Sequence, residues 1–262
     1  LVILSGGIDL SVGALLALAG AMAAKLAKAG FDVPGGWHAD VTLSGAVLIA
    51  IVVGGALGLF NGVAVARLKL APFVATLAML SIARGFTFLW TGGYPVTGLP
   101  SAMGFIGSGW WLGIPLPVWI VGLLAVGAAV ACRATAFGRQ LYAVGGSERA
   151  ALLSGVNVDG VRIAVYTASG VLAGIAGLIV SGRLDSAQPN AGLGYELDSI
   201  AAVVIGGASL SGGRGSIGGT VLGCLIIGVL NNGLFLLDVS PFWQQSIKGA
   251  VILVAVALDR VR

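Results

Sequence analysis

Long apolar runs alternate along the chain with short polar connections. A membrane-spanning helix needs about 20 mainly apolar residues, and seven runs approach or exceed that length. They lie near 12–29, 42–66, 71–90, 117–132, 162–181, 217–237 and 242–258. An eighth run, 197–209, is shorter and ends in glycines, which predicts a short or re-entrant helix. The pattern predicts an all-α, polytopic transmembrane bundle of about eight helical segments.

The composition agrees with this pattern and excludes a soluble fold. Of the 262 residues, 58% are hydrophobic and only 9% are charged. The mean hydropathy is +1.04. A soluble domain carries about a quarter charged residues, because its surface faces water. The apolar surface of this chain must therefore face the lipid bilayer.

Glycine is abundant and falls at regular spacing inside the apolar runs. The chain has 44 glycines. Small residues four positions apart let helices approach closely in lipid. Three such pairs are Gly54 and Gly58, Gly170 and Gly174, and Gly219 and Gly223. They predict a tightly packed helix bundle.

Positive residues favour alternate connections. Nine of the 14 lysines and arginines lie in the 67–70, 133–162 and 210–216 connections or at the C-terminus. The positive-inside rule predicts that these connections and the C-terminus are cytoplasmic. The net charge of +4 does not indicate nucleic-acid binding, because the positive residues are scattered at segment ends. The opposite connection, 91–116, contains Trp110 and Trp111, which predict an interfacial aromatic belt or a partner-docking loop.

The chain contains no recognisable catalytic or metal-binding constellation. It has one histidine and two cysteines, Cys132 and Cys224, and both cysteines are predicted to be buried thiols. The sequence lacks an intramembrane relay of acids and histidines, which is the usual mark of a proton-driven pump, so any energy source is expected on another protein. The run Leu210–Arg214 resembles the ABC ATPase signature, but the chain lacks a P-loop. We interpret this run as a tight turn whose glycines adopt positive φ angles.

The connection 133–162 contains a predicted short helix outside the membrane. Ser147 is a plausible N-cap, Glu148 favours the first turn, and Gly155 is a natural residue after the C-cap. An ordinary amphipathic connector is one interpretation. The other is a helix that rests in a partner's groove. Its contacting positions are then Ala150, Ala151 and Leu153.

Four motifs carry a family resemblance that spans the whole chain in order. They are Gly-Gly-Ile-Asp-Leu-Ser-Val-Gly (6–13), Gly-Gly-Ser-Glu-Arg-Ala-Ala-Leu-Leu-Ser-Gly-Val (145–156), the 186–207 run and Leu-Asn-Asn-Gly-Leu (230–234). Together they resemble the ribose-type ABC importer permeases. The resemblance implies a single transmembrane permease domain over 1–262 and about ten helices in the intact family. One or two N-terminal helices are then expected to be missing here.

The resemblance also implies the partners. A second permease subunit, expected as a homodimer, forms the pathway, and a cytoplasmic ABC ATPase supplies the energy. A periplasmic sugar-binding protein delivers a monosaccharide such as ribose or xylose. No cofactor is expected on this chain, since ATP and magnesium belong to the ATPase. The expected location is the bacterial inner membrane.

Two sets of site residues follow. The 145–156 run resembles the coupling helix that docks into the ATPase, and Arg149 receives no role. The expected coupling residues are Gly145, Gly146, Ser147, Glu148, Ala150, Ala151 and Gly155. Polar residues within apolar regions are candidates for the translocation pathway, because they are costly in lipid. They are Asp9, Asn61, Gln188, Asn190, Glu196, Asp198, Asn231 and Asn232.

Local alternatives exist for several polar residues. Asp9 or Ser11 could instead cap the helix that begins near Val12, and Asn231 and Asn232 could bond between helices. Arg84 and Lys248 are expected to pair or to extend toward the interface.

The sequence leaves alternative functions open. They are an ABC permease for branched-chain amino acids or a signalling furanone, and a secondary transporter. An integral membrane enzyme is a weaker alternative, because a nucleophile or metal cluster is missing from the sequence pattern.

Overall fold

The computed structural model describes residues 1–33 and 37–261. A short 3₁₀ turn, Ile3–Ser5, precedes the helices. Within the described residues eleven α-helices follow in order. They are α1 (Val12–Ala29), α2 (Leu43–Ala66), α3 (Pro72–Thr91), α4 (Ser101–Ser108), α5 (Leu116–Ala134), α6 (Ala136–Gly146), α7 (Glu148–Leu153), α8 (Val158–Arg183), α9 (Tyr195–Ile205), α10 (Ile217–Leu236) and α11 (Pro241–Val261).

Short antiparallel strand pairs occur between some helices. Strands β1 (Phe31–Val33) and β2 (Trp37–Ala39) pair, as do β4 (Trp110–Trp111) and β5 (Ile114–Pro115). Strand β3 (Val96–Thr97) pairs with β6 (Ser186–Ala187), which lies far away in the sequence. The apolar pattern did not predict these pairs, because two or three residues carry no periodicity.

The all-α membrane bundle predicted from the sequence is confirmed. All seven long apolar runs form helices, and the short run 197–209 forms α9. Among the described helices, α1, α2, α3, α5, α8 and α10 are long and apolar enough to cross a bilayer. Helices α4 and α6 were not predicted, and α8 begins at Val158 rather than near residue 162. Helix α6 contains Gly138, Gly145 and Gly146, which lower its intrinsic helix propensity. The sequence pattern therefore did not predict this helix.

The described chain divides into two compact units. We name them after one residue in each. The Asp9 unit comprises Asp9–Leu123 and Arg162–Leu193, and the Gly145 unit comprises Leu1–Ile8, Leu124–Val161 and Gly194–Arg262. The single permease domain expected from the family resemblance stays a prediction.

Helix α1 forms the centre of the Asp9 unit. It packs on α2 and α3, and most of its residues are buried, including Leu15 and Ala19. Helix α2 meets α8 through glycines, as the sequence predicted. A Cβ on Gly54 would overlap the carbonyl oxygen of Gly170, and a Cβ on Gly58 would overlap that of Tyr166. Because the two backbones touch directly, no larger side chain fits at these positions.

The Gly145 unit contains a second close helix pair. Helix α9 packs on α10, and a Cβ on Gly223 would overlap the carbonyl oxygen of Ala202. A Cβ on Gly219 would likewise overlap the carbonyl oxygen of Gly206. All three glycine pairs identified in the sequence therefore lie at helix contacts.

Large apolar side chains cover the outer faces of several helices. Leu89 of α3 is 79% exposed, Leu123 of α5 is 75% exposed and Val229 of α10 is 72% exposed. Such faces suit the hydrocarbon of a bilayer. Cys132 is buried as predicted, but the prediction is wrong for Cys224, which lies on the exposed face of α10. A thiol there faces outward because small residues of α10 occupy the contact with α9.

Candidate functional site

Helix α7 has both caps that its sequence predicted. The hydroxyl of Ser147 accepts a hydrogen bond from the Ala150 N–H at 3.3 Å. At the other end Gly155 has φ +78°. The N–H of Val156 donates to the Ala151 carbonyl and the N–H of Gly155 donates to the Leu152 carbonyl, both at 3.0 Å. These two bonds form a Schellman motif, which ends the helix after one and a half turns or so.

The outer face of α7 is exposed and carries two large apolar side chains. Leu153 is 84% exposed and Leu152 is 55% exposed, whereas Ala151 is 3% exposed. Glu148 and Ala150 are also exposed. Ala151 therefore packs inward and does not belong to the outer face, contrary to its proposed place in a partner's groove. Two large exposed leucines on a six-residue helix are a contact surface of the kind that partner grooves accept.

Behind α7 lies a contact between three backbone segments, which we call the glycine junction. It consists of Leu4–Gly6, Gly145–Gly146 and Gly212–Gly213. The N–H of Gly213 donates to the Leu4 carbonyl at 3.0 Å. A Cβ on Gly145 would overlap that same Leu4 oxygen, while a Cβ on Gly146 would meet no atom within 4 Å. The junction thus requires a glycine at 145 and not at 146.

The turn that contributes Gly212 and Gly213 is held at both ends. The Ser209 N–H donates to the Arg214 carbonyl at 3.0 Å. The phenol of Tyr142, on α6, donates to the Gly215 carbonyl at 2.8 Å. Burial raises the pKa of the Tyr142 phenol above its ordinary value, so the group stays protonated and remains a donor. Gly212 and Gly213 have positive φ angles, which confirms the glycine turn predicted for 210–214.

A buried polar network links three helices of the Asp9 unit. One carboxylate oxygen of Asp9 accepts from the Ser11 N–H at 2.9 Å and from the Ser11 hydroxyl at 2.6 Å. The other accepts from the Ser169 hydroxyl of α8 at 2.9 Å. The Asn61 amide of α2 donates to the Ser11 oxygen at 2.9 Å. Asp9 is 8% exposed and Asn61 is 1% exposed, so the network is sealed within the unit.

The network changes the capping interpretation. Ser11 is the N-cap residue of α1, but its side chain makes no capping bond. Its hydroxyl donates to Asp9 instead, and the Asp9 carboxylate binds the Ser11 N–H. The amide oxygen of Asn61 is buried and finds no hydrogen-bond partner within residues 1–33 and 37–261. The sequence did not reveal Ser169, since a serine within an apolar helix gives no local signal.

Arg84 of α3 holds the loop that contains two pathway candidates. Its guanidinium Nη1 donates to the carbonyl oxygens of Pro189 and Ala191, at 2.7 and 2.9 Å. The loop includes half-buried Gln188 and exposed Asn190. The expectation that Arg84 pairs is confirmed. A guanidinium within a membrane helix is costly, and it is retained here through bonds to backbone oxygens.

The remaining pathway candidates lie in the Gly145 unit. Glu196 and Asp198 occupy the first turn of α9, where carboxylates interact favourably with the helix dipole. Lys248 forms an ion pair with Asp198 at 3.1 Å, as expected. On α10, the Asn231 oxygen is buried and meets no hydrogen-bond partner in the described part of the chain, and Asn232 is exposed. The interhelical bond considered for Asn231 is therefore not made by this oxygen.

Over residues 1–33 and 37–261 the structure contains no group of three or more His, Cys, Asp or Glu residues that could hold a metal ion. The polar side chains described above carry hydroxyl, amide and carboxylate groups. These groups bind neutral polar molecules by hydrogen bonds.

The six candidate spans among the described helices define a multi-pass membrane protein. The chain belongs to the family described as branched-chain amino acid transport system / permease component, which it matches over residues 1–256.

Among curated proteins, the chain is 51% identical to the ribose import permease protein RbsC of Bacillus subtilis, over 99% of this chain and 78% of the relative. It is 49% identical to the protein of the same description from Escherichia coli strain K12, over 99% and 79%. The xylose transport system permease protein XylH of that strain is 36% identical, over 98% and 79%. No solved structure shows significant similarity to the chain.

Proposed function

We propose that this chain is the membrane-spanning subunit of a bacterial inner-membrane ABC importer for a monosaccharide, with ribose as the first candidate. The ribose permeases are more similar to the chain than the xylose permease, at 51% and 49% against 36% identity. The observation that carries the mechanism is α7, which presents Leu152 and Leu153 outward. The family description favours a branched-chain amino acid as a second cargo.

In this proposal α7 is the point where energy enters the chain. A separate cytoplasmic ATPase binds ATP and magnesium, and the permease supplies no catalytic site of its own. Leu152 and Leu153 insert into a groove of the ATPase, and the 133–162 connection and the C-terminus face the cytoplasm. When the ATPase moves, α7 moves with it. The glycine junction passes this motion on, because it joins the end of α6 to the turn at 212–213 without intervening side chains.

The remaining assignments complete the transport cycle. Two copies of the permease surround the pathway, and a periplasmic binding protein delivers the sugar. Within the Asp9 unit, half-buried Gln188 and exposed Asn190 offer hydrogen-bonding groups to the sugar, whereas buried Asp9 and Asn61 support them from behind. Within the Gly145 unit, Glu196 and Asp198 at the start of α9 and Asn231–Asn232 of α10 offer such groups. A sugar presents many hydroxyls, so a route with amide, hydroxyl and carboxylate groups replaces its water contacts.

Gly155→Ala tests the coupling role of α7. The φ of +78° at Gly155 is strained for alanine by about 1–2 kcal/mol, and we expect a frayed C-terminal turn. Sugar uptake into proteoliposomes that contain the permease, its ATPase and its binding protein should fall, while the helix bundle stays folded. The readouts are uptake and sugar-stimulated ATP hydrolysis, measured together. Glu148→Gln removes the negative charge of the first turn of α7. It should also lower sugar uptake relative to ATP hydrolysis.

Gly127→Ala, in α5 of the same unit, is the matched control for Gly155→Ala. Both glycines have open space around a new Cβ, but only Gly155 has a positive φ. Gly127→Ala should therefore leave uptake per ATP unchanged. Unaltered sugar-stimulated hydrolysis and uptake in both Gly155→Ala and Glu148→Gln would remove α7 from the coupling mechanism.

Arg84→Gln tests the pathway loop. The two bonds to the Pro189 and Ala191 carbonyls disappear, and hydrogen bonds to a charged group contribute about 1.5–3 kcal/mol. We expect uptake to fall several-fold while the ATPase still binds the permease. Arg84→Lys should retain part of the activity, because an ammonium can still donate to these oxygens. Full uptake by Arg84→Gln would show that the loop does not depend on this contact.

The cargo is tested directly with radiolabelled compounds. Proteoliposomes should accumulate ribose in an ATP-dependent manner, and unlabelled leucine should not compete. Accumulation of leucine without ribose would favour the second cargo. Uptake by the isolated permease under a proton or sodium gradient, without ATPase, would instead indicate a secondary transporter.

A further inference from the structure

An open cavity of about 380 Å³ lies beside the glycine junction in the Gly145 unit. Its lining comes from the last two residues of α6 and from the connection that precedes α10. The lining residues are Gly145, Gly146, Ser209, Ser211, Gly212, Gly213 and Arg214. Because Gly145 and Gly146 directly precede the Ser147 cap of α7, the cavity is continuous in the chain with the outer helix.

The charged group in the cavity lining is positive. Arg214 is its charged lining residue, and two serines add hydroxyl groups. Within 1–33 and 37–261, Arg214 is exposed and forms no ion pair with any carboxylate. A guanidinium presents five N–H donors in a planar fork that matches a carboxylate with two parallel hydrogen bonds. The cavity therefore offers a binding position for one acidic side chain.

We propose that this cavity receives an aspartate or glutamate side chain of the ATPase, as a second docking point beside α7. The inference rests on the proposed function, since it names a further contact of the same partner. The two docking points differ in chemistry. Leu152 and Leu153 provide apolar contact, whereas Arg214 provides an oriented ion pair. Apolar contact alone leaves the register of a short helix free, and a charged pair fixes orientation at an interface.

The backbone around the cavity explains why the second point moves with the first. Gly213 bonds to Leu4, a Cβ on Gly212 would crowd the Gly145 carbonyl oxygen, and a Cβ on Gly213 would crowd the backbone of Gly146. No flexible side chain separates the Arg214 turn from the end of α6. A displacement of Arg214 and a displacement of α7 therefore act on the same closely packed backbone segments.

Arg214→Glu tests this inference in the assembled complex. The affinity of the detergent-solubilised permease for its purified ATPase should fall at least about tenfold, since the charge reversal repels the incoming carboxylate. Arg214→Lys should lose less, because the charge is kept. The wild-type affinity should fall with rising NaCl, and that dependence should flatten in Arg214→Glu.

Arg139→Glu is the matched control, since it makes the same change of charge at another exposed arginine of the same unit. An equal loss of affinity in Arg139→Glu and Arg214→Glu would assign the effect to net charge and overturn the proposal. Wild-type affinity in Arg214→Glu would also overturn it. If inorganic phosphate alone displaces the ATPase from the wild type at constant ionic strength, the cavity is a phosphate site instead.

The outcome separates this inference from the proposed function. If the wild-type permease binds no ABC ATPase, the proposed function fails. If the wild type binds the ATPase, Gly155→Ala uncouples it and Arg214→Glu binds normally, only the second docking point fails.

Discussion

Gly145→Ala should nearly abolish ATP-driven uptake and lower the melting temperature of the purified permease. The new Cβ would overlap the Leu4 carbonyl oxygen, which already accepts a hydrogen bond from Gly213. The overlapping atom belongs to the backbone, so no side-chain rotation relieves it. Overpacking of this kind costs about 1–3 kcal/mol or more. The measurement is a thermal unfolding curve in detergent, followed by uptake in proteoliposomes.

Gly146→Ala is the matched variant one position further on. Its Cβ meets no atom within 4 Å, and alanine has a higher helix propensity than glycine at this end of α6. We therefore expect an unchanged or slightly higher melting temperature. Wild-type stability and uptake in Gly145→Ala would show that the three segments of the glycine junction do not need to touch.

Asp9→Ala should be the most destabilising substitution in the Asp9 unit. It removes the acceptor of three hydrogen bonds and leaves the Ser11 N–H and the hydroxyls of Ser11 and Ser169 unsatisfied. Each buried group left without a partner costs about 1–3 kcal/mol, and the costs are not strictly additive. We expect a loss of about 3 kcal/mol or more in the free energy of unfolding, and no uptake. Thermal unfolding in detergent and uptake in proteoliposomes are the measurements.

Asp9→Asn should have an intermediate effect. The amide keeps one oxygen acceptor, and a serine hydroxyl can rotate to accept from its NH₂ group. Asp185→Asn is the control for the change of charge within the same unit. Asp185 is exposed with φ 47°, a conformation that asparagine tolerates. Equal stability of Asp9→Ala, Asp9→Asn and Asp185→Asn would mean that the network does not hold α1, α2 and α8 together.

Some elements followed directly from the order of residues. Helix α2 occupies Leu43–Ala66 and the apolar run covers 42–66, because bilayer thickness sets the length of a spanning segment. The boundaries of α7 were equally predictable. Ser147 and Gly155 act on their own neighbours through local hydrogen bonds.

Other elements had no local signal. Helix α6 contains three glycines, yet it is helical because Leu141 and Val144 are buried and Gly138 packs against the Cys132 backbone. Tertiary packing overrode a weak intrinsic propensity. The pairing of β3 with β6 joins segments far apart in the chain, and no periodicity within either segment records it.

The candidate site divides in the same way. The sequence selected Asp9, Asn61 and Arg84 because polar groups in apolar runs are costly, and that argument needs no partner. Their partners, Ser11, Ser169 and the carbonyls of Pro189 and Ala191, became visible only in the folded chain. The burial of a coupling residue was likewise not predictable. The sequence placed Ala151 on the outer face, and the structure buries it.

The amino-acid order by itself determined the membrane class, the apolar runs, the capped short helix and the family motifs. Each of these depends on hydrophobicity or on hydrogen bonds between near neighbours. Only the tertiary structure decided that Gly145 touches a backbone while Gly146 does not, and that Asp9 joins three helices. These facts depend on contacts between distant segments. Gly145 and Gly146 are the same residue type in adjacent positions, so only the folded chain distinguishes their surroundings.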